Sequence, residues 1–466
     1  MSETPLADKA KIVGGTPQTD ADPKLARALI RSLTRGTAIP RGARLIHVGN
    51  EEWLAAQLEL LREIAEDGYS DTKFIRGAYG AGKSHFLSVV QEGARESGWV
   101  TSHIECHFDK VEIDRFETLY PPLVKKLNAS DFVALSEDTE TAQSPEPIRV
   151  ILNKWTDKQF SAIGYRRDAR SRPFDLDTRL FAHLASRLLN GGVPTNFARA
   201  LTAYALASLA GDTGTAAGIC SWLNAGDEPV TIPGQYLRRE TRSIGKTDSR
   251  PEKAIQLRPI NVGTVHDAMK GLLWLIKDAG YTGLVLCIDE VEELARLGTR
   301  KRQDRALQAL REYVDHAGGD DSYKWLCMYL AATPEMFDSE DYFPRYDALA
   351  SRIQAVSDHV SWRAPVVDLD KTPLDEKQLR MIAMKIRDVY RVARGDEAVF
   401  FVTDQVLAAF VTEILRSKVR MARPRLLARI VVDELERARS AGSKYAAPDH
   451  LDKTIARAAE SIQKGE

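Results

Sequence analysis

Apolar residues recur along this chain in two rhythms. Short unbroken runs at 73–76, 99–108, 283–290 and 324–332 predict buried strands. Elsewhere the spacing changes to every third or fourth position. Leu25, Ala28, Leu29 and Leu33 mark a helix over 24–33, and Leu54, Leu58, Leu61 and Ile64 mark another over 51–66. The same rhythm predicts helices over 84–96, 116–127, 147–155, 176–189, 197–209, 216–223, 262–279 and 296–313. From 366 onward the chain reads as helical throughout, with helices over 375–392, 403–415, 424–439 and 448–462.

Strands alternating with helices predict an α/β fold with a parallel sheet. The interval from 84 to 289 is far longer than the roughly 30 residues of one strand-helix unit. A large insertion is therefore expected. The division that follows is a flexible N-terminus over 1–21, a core formed by 22–135 and 255–370, a mostly helical insertion over 136–254, and a helical lid over 371–466.

The first strand runs into a glycine-rich loop, and Phe86, Leu87, Val89 and Val90 open the helix after it. Gly77, Gly82, Lys83 and Ser84 fill G-x-x-x-x-G-K-[ST], the P-loop or Walker A pattern, in the strand-loop-helix setting that pattern needs. Residues Gly77, Ala78, Tyr79, Gly80, Ala81, Gly82, Lys83, Ser84 and His85 are thus expected to bind ATP. Amides of 80–84 would surround the β-phosphate, Lys83 would reach the β and γ oxygens, and Ser84 would hold Mg²⁺.

A second signal is the apolar run that ends in Asp289-Glu290. A carboxylate at the carboxyl end of a buried parallel strand lies where open α/β sheets bind ligands. Asp289 is expected to share the Mg²⁺ with Ser84, and Glu290 to polarise the attacking water. This requires the lysine-bearing turn and the acidic strand tip to meet on neighbouring strands. The competing explanation is an N-cap pair at an ordinary strand end.

Thr333 closes the next apolar run, where it either touches the γ-phosphate or caps the turn. Arg352 is placed to act as an arginine finger toward a neighbouring subunit; Arg345 competes for that role, and a surface ion pair accounts equally well for either. Arg425 follows Pro424 at the start of a predicted helix, where a lid arginine closes on phosphates. Helix 51–66 either lies over the base or simply packs.

Composition narrows the class. With 466 residues, 44% hydrophobic and 28% charged, the chain is an ordinary globular protein, and 65 Lys and Arg against 66 Asp and Glu leave a net charge of −1. Nucleic-acid binding would therefore need a local patch. Arg238, Arg239, Arg242, Lys246, Arg250, Lys253 and Arg258 offer one, though a solvated loop explains them as well. Cys106, Cys220, Cys287 and Cys327 are widely separated without metal or disulfide spacing, and no apolar run approaches a membrane span, so a cytoplasmic setting is expected.

In the order of these motifs the chain resembles AAA+ ATPases of the ORC/Cdc6-like branch. More narrowly, residues 74–87, 283–290 and Val48-Gly49-Asn50-Glu51 resemble the BREX-system ATP-binding family of bacterial phage-defence loci, particularly its smaller, BrxD-like members. The resemblance covers residues from about 25 to 453. It implies an AAA+ three-layer core, use of ATP with Mg²⁺, and partners among other defence proteins or further copies of the chain, with DNA as a possible substrate. The function expected is nucleotide-dependent assembly reset by hydrolysis. The rival is an ATP-gated scaffold that scarcely hydrolyses.

Overall fold

The structure is a computed structural model that describes residues 22–35, 39, 41–132, 146–166, 175–237, 253–315, 323–353, 363–396, 398–417, 423–447, 452–453 and 455–456. The chain forms two compact units, Asn50–Pro373 and a second that joins Met1–Gly49 to Leu374–Glu466.

In the larger unit the strands are β1 Ser70–Arg76, β2 Val100–Glu105, β3 Val230–Ile232, β4 Ile255–Leu257, β5 Leu284–Asp289, β6 Leu326–Ala332 and β7 Val366–Asp368. Five of them form a parallel sheet in the order β2-β5-β6-β1-β7. Every residue of β5 and β6 is buried, as their unbroken apolar runs require of central parallel strands. Successive side chains leave opposite faces. Ile75, Val285, Cys287, Tyr329 and Val367 pack under helices Glu51–Asp67 and Lys83–Glu96. Phe74, Leu286, Ile288, Met328 and Leu330 face a second layer that includes Phe116–Lys125, Val265–Asp278 and Arg300–Asp315. The sheet is thus the middle of three layers.

Gly283 shows how tightly this sheet begins. A Cβ there would lie 2.4 Å from both the Trp325 carbonyl oxygen and the Trp99 ring, so only glycine admits the approach.

Two local expectations need correction. Residues 366–368 form an edge strand and not the start of a helical region, because Phe74, Ile75 and Arg76 pair with Val366, Val367 and Asp368. The region expected as one helix over 296–313 is a 3₁₀ turn Val291–Arg296 followed by helix Arg300–Asp315.

The long interval between β2 and β5 contains helices Pro147–Ala162, Leu176–Asn190, Thr195–Ala210 and Thr213–Leu223 and the antiparallel pair β3–β4. A buried polar knot ties two of these helices to Val265–Asp278. The Asp278 carboxylate accepts from Trp155 Nε1 at 2.9 Å and Gln159 Nε2 at 3.1 Å and pairs with Arg187, while Lys158 Nζ donates to the Asp278 carbonyl at 2.7 Å. Of the predicted basic stretch, Arg238, Arg239, Arg242, Lys246 and Arg250 lie outside the described residues; Lys253 and Arg258 flank β4.

The smaller unit joins helices Pro23–Arg35 and Ala43–Ile46 to Glu376–Arg394, Asp404–Arg416 and Arg423–Ala441. The stripe Ala26, Leu29, Ile30 and Leu33 is buried, as are Leu379, Ile382, Ala383 and Ile386. Helix 24–33, expected in the core, therefore belongs with the C-terminal helices. Glu376–Arg394 starts in a capping box, with Gln378 N–H donating to Asp375 Oδ1 at 2.7 Å and Asp375 N–H to Gln378 Oε1 at 2.9 Å. Most of the helix expected over 448–462 lies outside the described residues, as does 1–21. No described helix is long and apolar enough to cross a membrane.

Candidate functional site

Parallel strands put all their carboxyl ends at one edge, and the helices that follow turn their amino ends toward it. Here that edge carries Arg76-Gly77, Glu105-Cys106, Asp289-Glu290, Ala332-Thr333 and Asp368.

β1 passes into helix Lys83–Glu96 through residues 77–82. Gly80 at φ 75° and Gly82 at φ 100° occupy the left-handed region, which a residue with a Cβ resists. Ala81 N–H closes the turn on the Ala78 carbonyl at 2.9 Å, and Ala78 N–H donates to Asp370 Oδ2 at 2.9 Å. Ala78 and Tyr79 are exposed, while Gly80, Ala81, Gly82, Ser84 and His85 are half-buried. Below the loop, Arg76 forms a two-pronged pair with Asp338 at 2.9 and 2.8 Å and lies 3.4 Å from Asp368, fastening β1 to the segment after β6 and to the end of β7.

Lys83 is buried, with its Nζ donating to the Gly77 carbonyl at 3.0 Å and 3.9 Å from Glu292 Oε1. On the next residue the Ser84 side chain lies beside the Asp289 carboxylate, near enough for its hydroxyl to favour the charged acid. Asp289, 3% exposed, has its other neighbours in its own strand end and in β2. Glu290 N–H donates to its Oδ1 at 3.0 Å, and His103 Nε2 lies 3.5 Å from its Oδ2, while His103 Nδ1 is 3.1 Å from Gln91 Nε2 on the loop's helix. Burial raises the cost of the Asp289 charge, but His103, the Ser84 hydroxyl and the Glu290 amide outweigh it and hold the carboxyl below the ordinary carboxylate range.

The adjacent acids behave oppositely. Burial, then the charges of Asp289 and Glu292, push the Glu290 carboxyl up, and its backbone sits in the left-handed region at φ 57°. Burial also raises Glu292, against the pull of Lys83 and of the nearby Thr333 amide.

Ser84 and Asp289 meet, but not through neighbouring strands. β6 lies between β1 and β5, and Ser84 reaches the acid from the first turn of the helix beyond the loop. Thr333, half-buried at the end of β6, thereby stands between the loop's strand and the acidic strand. Arg352 is engaged elsewhere, in a pair with Asp315 and with its Nη1 donating to the Ala348 carbonyl at 2.5 Å. Arg345 pairs with Asp304 at 2.7 Å. Arg425 belongs to the smaller unit, in the first turn of Arg423–Ala441.

Sequence reading missed His103, Gln91, Glu292 and Asp370. Each is a lone polar residue without motif spacing, and Asp370 meets Ala78 only because β7 pairs with β1.

Among the described residues no group of three or more His, Cys, Asp and Glu assembles around a point. A hydroxyl beside a carboxylate nevertheless suits Mg²⁺, which keeps several waters and takes its other ligands from phosphate oxygens. Left-handed glycines, a helix amino end, a buried lysine and that pair of oxygens make an arrangement that can grip a metal-bound polyphosphate.

No curated protein matches the chain. The family model described as "BREX system ATP-binding protein BrxC/D" matches residues 22–453 and so spans both units. This protein belongs to the BREX system ATP-binding protein BrxC/D family.

Proposed function

We propose that the chain hydrolyses ATP as an AAA+-type ATPase of the ORC/Cdc6-like kind, and that its nucleotide state governs assembly with further copies or with other phage-defence proteins, on DNA where the complex acts there. Family membership supports ATP and the defence setting. The contact between Ser84 and Asp289 carries the hydrolysis reading, because it unites the loop and the acidic strand tip at a pair of oxygens suited to Mg²⁺. Four buried free cysteines fit a cytoplasmic site of action.

In this reading Ser84 and Asp289 would hold Mg²⁺, which would supply neutralisation of charge on the phosphate oxygens. The amides of 80–84 hold the β-phosphate, and Lys83 turns from the Gly77 carbonyl onto the β and γ oxygens. Glu290, with its raised proton affinity, orients and polarises the water. Thr333 reports the γ-phosphate from the end of β6. Arg352 serves a neighbouring copy's nucleotide once it leaves Asp315.

Glu290→Gln tests the assignment. Nucleotide binding should persist while turnover falls by on the order of 10²-fold or more. Equal turnover would remove Glu290 from the mechanism. A wild-type chain that binds ATP yet does not turn it over, with or without DNA and partner proteins, would instead support the gated scaffold.

A further inference from the structure

We infer that Glu292 is a positioning residue for Lys83: it holds the lysine in the nucleotide-free chain and competes with phosphate for it. The inference rests on the nucleotide-binding reading of the same site. Lys83 and Glu292 approach to 3.9 Å with side chains only 7% and 21% exposed, so their attraction is weakly screened. The left-handed turn at Glu290 ends β5 sharply, and the 3₁₀ turn Val291–Arg296 carries Glu292 back to the lysine. The amides of Glu292 itself and of Thr333 lie near the carboxylate and partly offset its burial.

What Glu292 faces when the lysine leaves decides the sign. Its Oε2 is buried without a hydrogen-bond partner among the described residues, and Asp289 is a further negative neighbour. Moving Lys83 onto a phosphate withdraws the cation that offsets this acid, which opposes nucleotide binding. A neutral side chain at 292 removes that opposition, because Lys83 meets phosphate charge in the bound state either way but in the free state keeps only the Gly77 carbonyl and loses its charged partner.

The test uses the full chain and calorimetric titration with MgADP and with a magnesium complex of a non-hydrolysable ATP analogue. Glu292→Gln should bind both about tenfold more tightly than wild type, melt at a lower temperature without nucleotide, and gain more on adding it. Glu292→Asp, which draws the carboxylate back but keeps its charge, should fall between, and it carries the test if Glu292→Gln does not fold. Glu293→Gln, whose native side chain pairs with Arg296 at 3.0 Å, should match wild type. A merely structural role would lower the melting temperature and leave affinity unchanged or weaker. That result, in a chain whose wild type binds, overturns the inference alone. Absence of binding by wild type and every variant overturns the nucleotide reading and this inference together.

Discussion

Lys83→Ala removes a buried ammonium that already rests on the loop's own carbonyl, so the loop loses an internal tie as well as a phosphate ligand. Hydrogen bonds to charged groups contribute about 1.5–3 kcal/mol, which places the expected loss of nucleotide affinity at about tenfold to a hundredfold. Titration calorimetry reads this directly, and unchanged affinity would show that the lysine never contacts the ligand. The residues that make up this site differ in how far the sequence announces them. Gly77, Gly82, Lys83 and Ser84 are legible because the P-loop pattern fixes their order within eight positions. His103 and Glu292 are not, since each acquires meaning only from the strands and turns that bring it beside Asp289 or Lys83. Arg352 illustrates the same limit, for its partner Asp315 is 37 residues away.

At the level of elements, short unbroken apolar runs sufficed to locate β1, β2, β5 and β6. β7 was hidden because a strand of three residues offers no period to read. Strand order was hidden too, as nothing local reveals that β6 separates β1 from β5. The polar knot around Asp278 gives the insertion a testable attachment. Asp278→Asn would deprive Arg187 of its charge partner beneath the helices Pro147–Ala162 and Leu176–Asn190, and should cost about 2 kcal/mol, read as a lower urea midpoint. Burial opposes the Asp278 charge, but Arg187 and Trp155 prevail and hold its carboxyl below the ordinary range. A depressed folded-state value means stability that is present above the unfolded carboxylate range and is lost as pH falls through the folded value. The wild-type advantage over Asp278→Asn should therefore shrink on acidification; an advantage that grows toward low pH would refute the assignment.

Across the whole molecule, the large apolar clusters on the two faces of the sheet draw only on residues between 50 and 373. A fragment of residues 50–373 is accordingly expected to unfold in one cooperative thermal transition followed by circular dichroism and to retain MgADP binding. A broad, non-cooperative melt would mean that its core needs the remaining helices. The other unit has a different dependence, because Pro23–Arg35 finds its partners only after residue 374. During synthesis helix Pro23–Arg35 must wait, its apolar stripe uncovered, while the whole of residues 50–373 is translated. Its packing must follow completion of residues 50–373, so a transcript cut short just after residue 373 would release a protein that keeps the sheet and its two faces but carries the hydrophobic stripe of Pro23–Arg35 uncovered.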